Sequence, residues 1–177
     1  QGVVAVCHQF DVELDDIIQG QPKLIALLSQ IRDPGNAGTV LRAADAAGAD
    51  AVLLSENSVD IYNPKVIRST TGSIFHLPFA VDVELVDTVA KLQAAGLQVL
   101  AADASGTPIT DLSARGDLVK PTVWLFGNEA WGFEPEILEL ADQVVSVPIY
   151  GAAESLNLST AASVCLYLSA MAHNQAV

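Results

Sequence analysis

Short apolar runs alternate with helix-like segments along almost the whole chain. The apolar runs are rich in Leu, Ile, Val and Ala and lie at 23–31, 51–55, 76–81, 98–103, 122–127 and 144–149. A parallel strand is covered by helices on both faces, so its sequence is apolar almost throughout instead of alternating with polar residues. Strand and helix in repeated succession are typical of such a sheet. The pattern therefore predicts an α/β fold, a parallel sheet with helices on both faces.

The composition predicts one domain with an apolar surface to hide. The 177 residues are enough for one well-buried core, and we expect a single domain over 1–177. Hydrophobic residues make up 51% of the chain and charged residues 16%, which favours a homo-oligomer that buries the excess. Neither a membrane-spanning run nor a signal sequence is recognisable, so we expect a cytoplasmic protein that does not engage a membrane.

Local patterns give further expectations. Residues 104–121 read as an exposed loop with little regular structure, and 135–142 as a helix. The last helix is apolar nearly all round from Leu158 to Leu168, which predicts a deep position or a dimer interface. Cys7 and Cys165 lie in no Cys/His cluster, so we expect buried packing residues and no metal site.

The charge argues against nucleic acid as a partner. A net charge of −13 is unusual for a protein that must neutralise phosphates. However, four of the eight basic residues fall in one stretch of the sequence: Arg32, Arg42, Lys65 and Arg68. They form either a local positive patch or a scattering of solubilising charges, and the sequence leaves both open.

The first of three loops that follow predicted strands reads DPGNAG, at 33–38. Ligands of open parallel sheets gather at the carboxyl ends of strands, which makes such loops informative. Asn36 is either an N-cap of the next helix or a ligand contact. Arg42 is either a surface residue, solvated or paired with Asp45, or a contact to phosphate or ribose.

The second and third loops read GNEAWGF, at 127–133, and PIYGAAESLN, at 148–157. Glu129 can accept hydrogen bonds from backbone amides or from Arg42, or can act as a charge at a helix N-terminus. Ser155 and Asn157 frame the start of the last helix, where capping is the simplest reading. GxGxxG and GxxxxGK[ST] are both missing, which disfavours NAD and ATP, and no hydrolase triad is legible.

Together the three loops resemble the three motifs of the SpoU family of RNA ribose 2'-O-methyltransferases, in the SPOUT superfamily. The similar segments are DPGNAGTVLRAADAAGA, LFGNEAWGF and VPIYGAAESLNLSTAA, and NPKVIRSTTGSIFHLPF also looks like a family segment. The resemblance implies a C-terminal deep trefoil knot, S-adenosylmethionine bound in that knot, and a homodimer with the active site near the subunit interface. It also implies an RNA substrate, rRNA ahead of tRNA, and an RNA-binding domain upstream of these residues.

The resemblance also assigns roles to residues of this chain. Five match the family's catalytic and structural polar positions: Asn36, Arg42, Glu129, Ser155 and Asn157. Four match positions that line the cofactor: Gly127, Val147, Ile149 and Leu156. RNA contacts are expected from Arg42 and Arg68. The alternatives are a catalytically silent module of the same fold, used for dimerisation or as an RNA scaffold, and an unrelated flavodoxin-like nucleotide-binding domain.

Overall fold

A six-stranded sheet organises the computed structural model, which describes Gly2 and residues 5–175. The strands are β1 (Leu24–Leu28), β2 (Ala51–Ser55), β3 (Phe79–Val83), β4 (Gln98–Pro108), β5 (Thr122–Phe126) and β6 (Gln143–Ser146). The helices are α1 (Leu14–Gln19), α2 (Pro34–Ala47), α3 (Pro64–Thr70), α4 (Leu85–Ala94), α5 (Ile109–Arg115), α6 (Pro135–Leu138) and α7 (Leu158–Gln175). The strand order is β3-β2-β1-β5-β4-β6, and every pair is parallel.

Both faces of the sheet are covered, as the apolar strands predict. Successive side chains of β1 point to opposite faces, and every residue of that strand is buried. Leu24, Ala26 and Leu28 belong to the cluster that includes buried residues of α2, α3, α5 and α7. Ile25 and Leu27 belong to the opposite cluster, with buried residues of α1 and α4 and partly buried ones of α6. The α/β prediction is confirmed, whereas the knot stays a prediction.

The pairing of β1 with β5 brings distant loops together. Leu28 pairs with Phe126 at the carboxyl ends of these two strands, so the loops 29–33 and 127–133 begin side by side. The strand order also reverses here, because β2 flanks β1 on one side and β5 flanks it on the other. Such a switch point opens a crevice in which parallel α/β sheets bind ligands.

The expectation of a structureless loop at 104–121 is wrong. After Ala102 the chain bulges away from β6 and returns to it, so that both Ala102 and Thr107 pair with Val145. The return is tight, since a Cβ on Gly106 would lie 2.4 Å from the backbone of Val144 and Val145. Helix α5 and a 3-10 turn at Asp117–Val119 follow. Ile109, Leu112 and Leu118 anchor this segment in the core.

Other boundaries also differ from the sequence expectations. The helix expected at 135–142 ends at Leu138. Helix α7 buries one face only, and Tyr167 and Met171 on its other face are exposed. Cys165 is buried as expected, but Cys7 is exposed and the expectation for it is wrong. In the part of the chain that the structure describes, no helix combines the length and the apolar composition needed to cross a membrane.

Candidate active site

A cavity of about 430 Å³ opens at the carboxyl ends of β4, β5 and β6. Helices α2 and α7 both begin beside it. Its lining combines apolar side chains with amides, hydroxyls and carboxylates: Asn36, Ala102, Asp103, Ala104, Asn128, Glu129, Gly132, Val145, Val147, Ile149, Glu154, Ser155, Leu156, Asn157, Leu158 and Ala161. A cavity of this size and character suits a small-molecule ligand.

A chain of hydrogen bonds along the cavity wall joins all three loops. Asn36 Nδ2 donates to Glu129 Oε1 at 3.3 Å, and Asn157 Nδ2 donates to Asn36 Oδ1 at 3.0 Å. Asn36 therefore presents its amide nitrogen to one loop and its carbonyl oxygen to another. An amide side chain can do this because it carries a donor and an acceptor. The three motifs converge on one wall, with Asn36 at its centre.

Glu129 is held at the start of α2. Its two carboxylate oxygens also accept from backbone amides, from Arg32 N at 3.2 Å and from Asp33 N at 3.0 Å. Amides at the beginning of a helix lack partners within the helix and favour a negative charge. Of the readings left open by the sequence, the one with backbone amides as donors to Glu129 is confirmed.

The cap of α2 is Asp33, whose Oδ1 accepts from Asn36 N at 2.7 Å. The reading of Asn36 as the N-cap is therefore wrong, because its side chain is turned to the cavity wall. Asn157, by contrast, acts as a cap at the start of α7, since its Oδ1 accepts from Ser159 N at 2.9 Å and Ser159 Oγ at 2.6 Å. The same side chain caps one helix with its oxygen and contacts the other with its nitrogen.

The cavity has a distinct charge. Three carboxylates lie in its lining, those of Asp103, Glu129 and Glu154, and none of the described lining residues is Lys, Arg or His. Such a lining attracts a cation and repels phosphate. Among Gly2 and residues 5–175, no three His, Cys, Asp or Glu side chains are grouped so as to hold a metal ion.

The residues assigned from the resemblance fall into two groups. Those in the cavity lining are Asn36, Glu129, Val147, Ile149, Ser155, Leu156 and Asn157. Gly127, Arg42 and Arg68 are not in the lining. Gly127 is buried behind it, where a Cβ would lie 2.6 Å from Gly132 O.

Arg42 lies on the exposed surface of α2 and makes no ion pair with any described carboxylate, while Asp45 contacts His76 Nδ1 at 3.1 Å. The suggested pair between Arg42 and Asp45 is wrong, and the Arg42 side chain is exposed. Arg68 is likewise exposed, on α3. The roles of both arginines stay predictions.

Sequence reasoning missed Asp103, the residue that follows the buried part of β4. Its Oδ1 accepts from Ser105 N at 2.9 Å and Ser105 Oγ at 2.6 Å, which shapes the bulge beside the cavity. The signal was available, since a polar residue directly after a buried strand is the rule that selected the other loops. Glu154, Val145, Leu158 and Ala161 were also missed, because only the path of the chain brings them to the lining.

Comparisons with known proteins agree with this arrangement. The model of the SpoU rRNA Methylase family matches residues 23–167. The chain is 37% identical over 168 residues to the 23S rRNA (guanosine(2553)-2'-O)-methyltransferase RlmP of Bacillus subtilis, covering 94% of this chain and 64% of that protein. It is also 37% identical over 169 residues to a 23S rRNA (uridine(2479)-2'-O)-methyltransferase of Streptomyces viridochromogenes, covering 93% and 58%.

Solved structures are similar as well. The SpoU methyltransferase AviRb from Streptomyces viridochromogenes, in complex with the cofactor AdoMet, superposes with a TM-score of 0.80 at 33% identity, over 90% of this chain and 64% of that one. An AdoMet-bound rRNA methyltransferase from Sinorhizobium meliloti gives a TM-score of 0.77 at 34% identity, over 91% and 60%. The chain thus spans about three fifths of these relatives' lengths. With the matched model extending over most of its residues and all three motifs meeting at one cavity, the chain belongs to the SpoU rRNA methylase family.

Proposed function

We propose that this chain is an S-adenosylmethionine-dependent RNA methyltransferase that methylates a ribose 2'-hydroxyl, with rRNA ahead of tRNA as its substrate class. The observation that carries the proposal is the hydrogen-bonded chain Glu129–Asn36–Asn157 at the cavity wall. The names of relatives as 23S rRNA 2'-O-methyltransferases support the choice of rRNA. Methylation of rRNA as the function of this protein also supports a cytoplasmic location.

The cavity fits S-adenosylmethionine in size and charge. Its volume of about 430 Å³ lies in the range of small-molecule sites. Val147, Ile149 and Leu156 offer an apolar wall to an adenine ring, and the carboxylates favour a cationic ligand over a phosphate-bearing one. When bound, the cofactor supplies a methyl group on a positively charged sulfur. The AdoMet complexes of AviRb and of the Sinorhizobium meliloti enzyme support this choice.

The residues of this chain then act mainly by positioning. Transfer to a hydroxyl requires an in-line approach at about 3 to 3.5 Å, which a wall held by three loops can enforce. Ser155 and Asn157 place polar groups at this wall, in reach of a ribose. A guanidinium is a poor base, because it stays protonated in proteins, so we assign Arg42 to the target phosphate and ribose.

We further propose a homodimer. Arg42 stands six residues after Asn36, hence about 9 Å farther along α2 and on a different side of the helix. Because Arg42 lies away from the cavity wall, it can contact the target RNA most easily if that RNA spans both subunits of a dimer. The exposed apolar residues Ile149, Leu156 and Met171 offer surface for such an interface. Because the net charge of −13 disfavours binding to phosphates, we infer that most of the affinity for RNA comes from outside these 177 residues.

Calorimetry with S-adenosylmethionine, with ATP as the phosphate-bearing control, tests the cofactor. We expect binding of the first only, and weaker binding by Asp103→Asn, which removes one carboxylate from the lining. Labelled methyl transfer into total RNA from a strain lacking this protein tests the reaction, followed by mapping of the modified nucleotide. RNA binding without any binding of S-adenosylmethionine would favour the catalytically silent module instead.

Arg42→Lys tests the assignment of the arginine. Lysine keeps the charge but loses the planar fork that binds a phosphate through two donors. We expect a large loss of single-turnover methylation with unchanged binding of S-adenosylmethionine. Nearly full methylation by this variant would show that the fork is unnecessary.

A further inference from the structure

Trp131 is an exposed aromatic residue directly beside the cavity. It follows Glu129 by two positions in the second motif, yet it is not part of the cavity lining. Its exposed fraction is 57%, whereas Trp124 is 0% exposed. The indole N–H of Trp124 also has a partner inside the protein, since Nε1 donates to Ser169 Oγ at 2.9 Å. The proposed function gives no role to Trp131.

The turn that carries Trp131 is rigidly closed. Asn128 N donates to Gly132 O at 3.0 Å, and Gly132 N donates to Asn128 O at 2.9 Å. The Asn128 side chain adds two bonds, from its Nδ2 to Gln30 O at 2.7 Å and to its Oδ1 from Ala130 N at 2.8 Å. Gly132 adopts a φ of 68°, which glycine accepts without strain. The ring is therefore presented by a fixed backbone and not by a floppy loop.

The structure offers Trp131 no deep pocket of its own. The cleft at its base has a volume of only about 40 Å³ and is lined in part by Ser29, Gln30 and Glu134. No nucleotide or cofactor fits there, so more than half of the indole remains available to a flat partner that stacks on it. A large aromatic side chain left in water on a rigid support is typical of a binding surface.

An exposed arginine is attached through its backbone to the turn that carries Trp131. Arg32 is exposed, and its backbone amide is bonded to Glu129 in the turn that carries Trp131. Among described residues, Lys91, Arg115 and Lys120 are all paired with aspartates. No described carboxylate pairs with any of the four basic residues between positions 32 and 68: Arg32, Arg42, Lys65 and Arg68. Lys23, just before β1, has no such partner either, so five of the eight basic residues are unpaired among the described residues. Of these five, Arg32 is the one whose backbone amide is bonded to the turn that carries Trp131.

We propose that Trp131 is a stacking platform for an unpaired base of the RNA, adjacent to the methylated nucleotide, with Arg32 on the neighbouring phosphate. This inference rests on the proposed function. Unpaired bases stack on aromatic side chains, and a base inside a duplex offers no free face, so the platform selects single-stranded or looped RNA. Stacking also gives affinity without charge, which suits a chain whose overall charge repels phosphate.

Tryptophan fluorescence tests the contact independently of activity. Acrylamide is uncharged, so the net charge of the protein does not alter its access, and it should quench Trp131 but not Trp124. We expect a single-stranded RNA of about 16 nucleotides to protect the Trp131 fluorescence from acrylamide. The same strand in a duplex should protect it less. In Trp131→Phe only buried Trp124 remains, and RNA should change nothing. Protection that depends on protein concentration without RNA would mean that a second copy covers Trp131, and would overturn the proposal.

Methylation kinetics provide the second test. Trp131→Ala should raise KM for RNA about 5- to 150-fold, the equivalent of one lost base stack. Trp131→Phe should recover most of this, because it restores a ring. Val119→Ala, at another exposed apolar residue, serves as the control and should leave KM unchanged. Binding of S-adenosylmethionine should be equal in all four proteins, which excludes misfolding.

Salt dependence separates the two proposed contacts. Arg32→Ala should lower the slope of log KM against log salt concentration by about the amount expected for one phosphate contact. Trp131→Ala should raise KM at every salt concentration without changing this slope. One combination of results would overturn the stacking platform and leave the proposed function intact. In it, wild type methylates RNA, Trp131→Ala has an unchanged KM for RNA, and RNA does not protect Trp131 from acrylamide. If wild type neither binds S-adenosylmethionine nor transfers methyl groups, the proposed function fails. The quenching measurement then still decides whether RNA covers Trp131.

Discussion

Asn157 Nδ2 donates a 3.0 Å hydrogen bond to Asn36 Oδ1 although 121 positions separate the two residues. The bond ties the first turn of α7 to the first turn of α2 at the wall of the cavity. Asn36 in turn donates to Glu129, so one amide connects the loops that follow β1, β5 and β6. The geometry of the candidate active site thus depends on contacts between the three motifs and not on any one of them.

Loss of this bond should affect ligand binding more than folding. Asn157→Ala removes a helix cap and the contact to Asn36, so we expect a loss of about 1 kcal/mol in the free energy of unfolding. A double-mutant cycle with Asn36→Ala measures the coupling between the residues. We expect clear coupling in the affinity for S-adenosylmethionine, measured by calorimetry. Strict additivity in that affinity would contradict a shared wall.

Gly127→Ala should destabilise the protein without direct contact to a ligand. The added Cβ would lie 2.6 Å from Gly132 O, and backbone cannot move aside as a flexible side chain can. We expect a loss of about 1 to 3 kcal/mol, from urea unfolding. Gly151→Ala is the matched control, because a Cβ added there would meet nothing within 4 Å, and this variant should be nearly neutral. Equal stability of the two variants would show that the turn at 127–132 has room.

Ser169→Ala should leave a buried indole N–H without a partner. Trp124 and Ser169 are both fully buried, and their hydrogen bond of 2.9 Å is the one that satisfies the indole nitrogen. We expect a loss of about 1 to 3 kcal/mol in thermal unfolding. Ser163→Ala, whose hydroxyl only donates to Ser159 O within α7, should cost clearly less. A similar cost for both would indicate that a water molecule replaces the serine hydroxyl.

Asp45→Asn should change the acid dependence of stability. The hydrogen bond with the Ser73 side chain lowers the pKa of the Asp45 carboxyl, burial opposes this, and His76 lowers it further. A carboxyl with a depressed pKa stabilises the fold above its unfolded pKa, near about 4, and loses this contribution as the pH falls through the folded value. The charge of His76 contributes only when its imidazole is protonated, so the prediction concerns the acid range: the difference in Tm between wild type and Asp45→Asn should shrink as the pH falls from about 5 to below about 4. A difference that grows over this acid range would have the wrong sign.

The two cysteines should react at very different rates. Burial raises the pKa of the Cys165 thiol to about 12, whereas Cys7 is exposed. Only the thiolate reacts with iodoacetamide, so at about pH 8 we expect labelling of Cys7 and protection of Cys165 until the protein unfolds. Mass spectrometry of peptides after timed labelling, with and without urea, measures both rates. Equal native rates would show that α7 opens readily from the sheet.

The chain of apolar runs was enough to predict the layered parallel sheet, because a strand buried on both faces cannot carry charge. The three motifs could also be identified from the sequence. Because ligands of parallel sheets bind after the strands, the sequence also predicted three of the loops that line the cavity. Sequence reasoning failed at 104–121, where few apolar residues sit among polar ones. Ile109, Leu112 and Leu118 are core residues there, but their spacing alone does not distinguish a short anchored helix from a loop.

What the sequence determined by itself is the succession of strands and helices and the residue types at their ends, since both follow from local propensity and burial. Only the tertiary structure decided what those end residues do. Asn36 could be an N-cap on local grounds, and it became the centre of the cavity wall because β1 pairs with β5 and places Glu129 within reach. Arg42 and Asn36 share a helix, yet only Asn36 lines the cavity, because side-chain direction relative to the sheet is a property of packing.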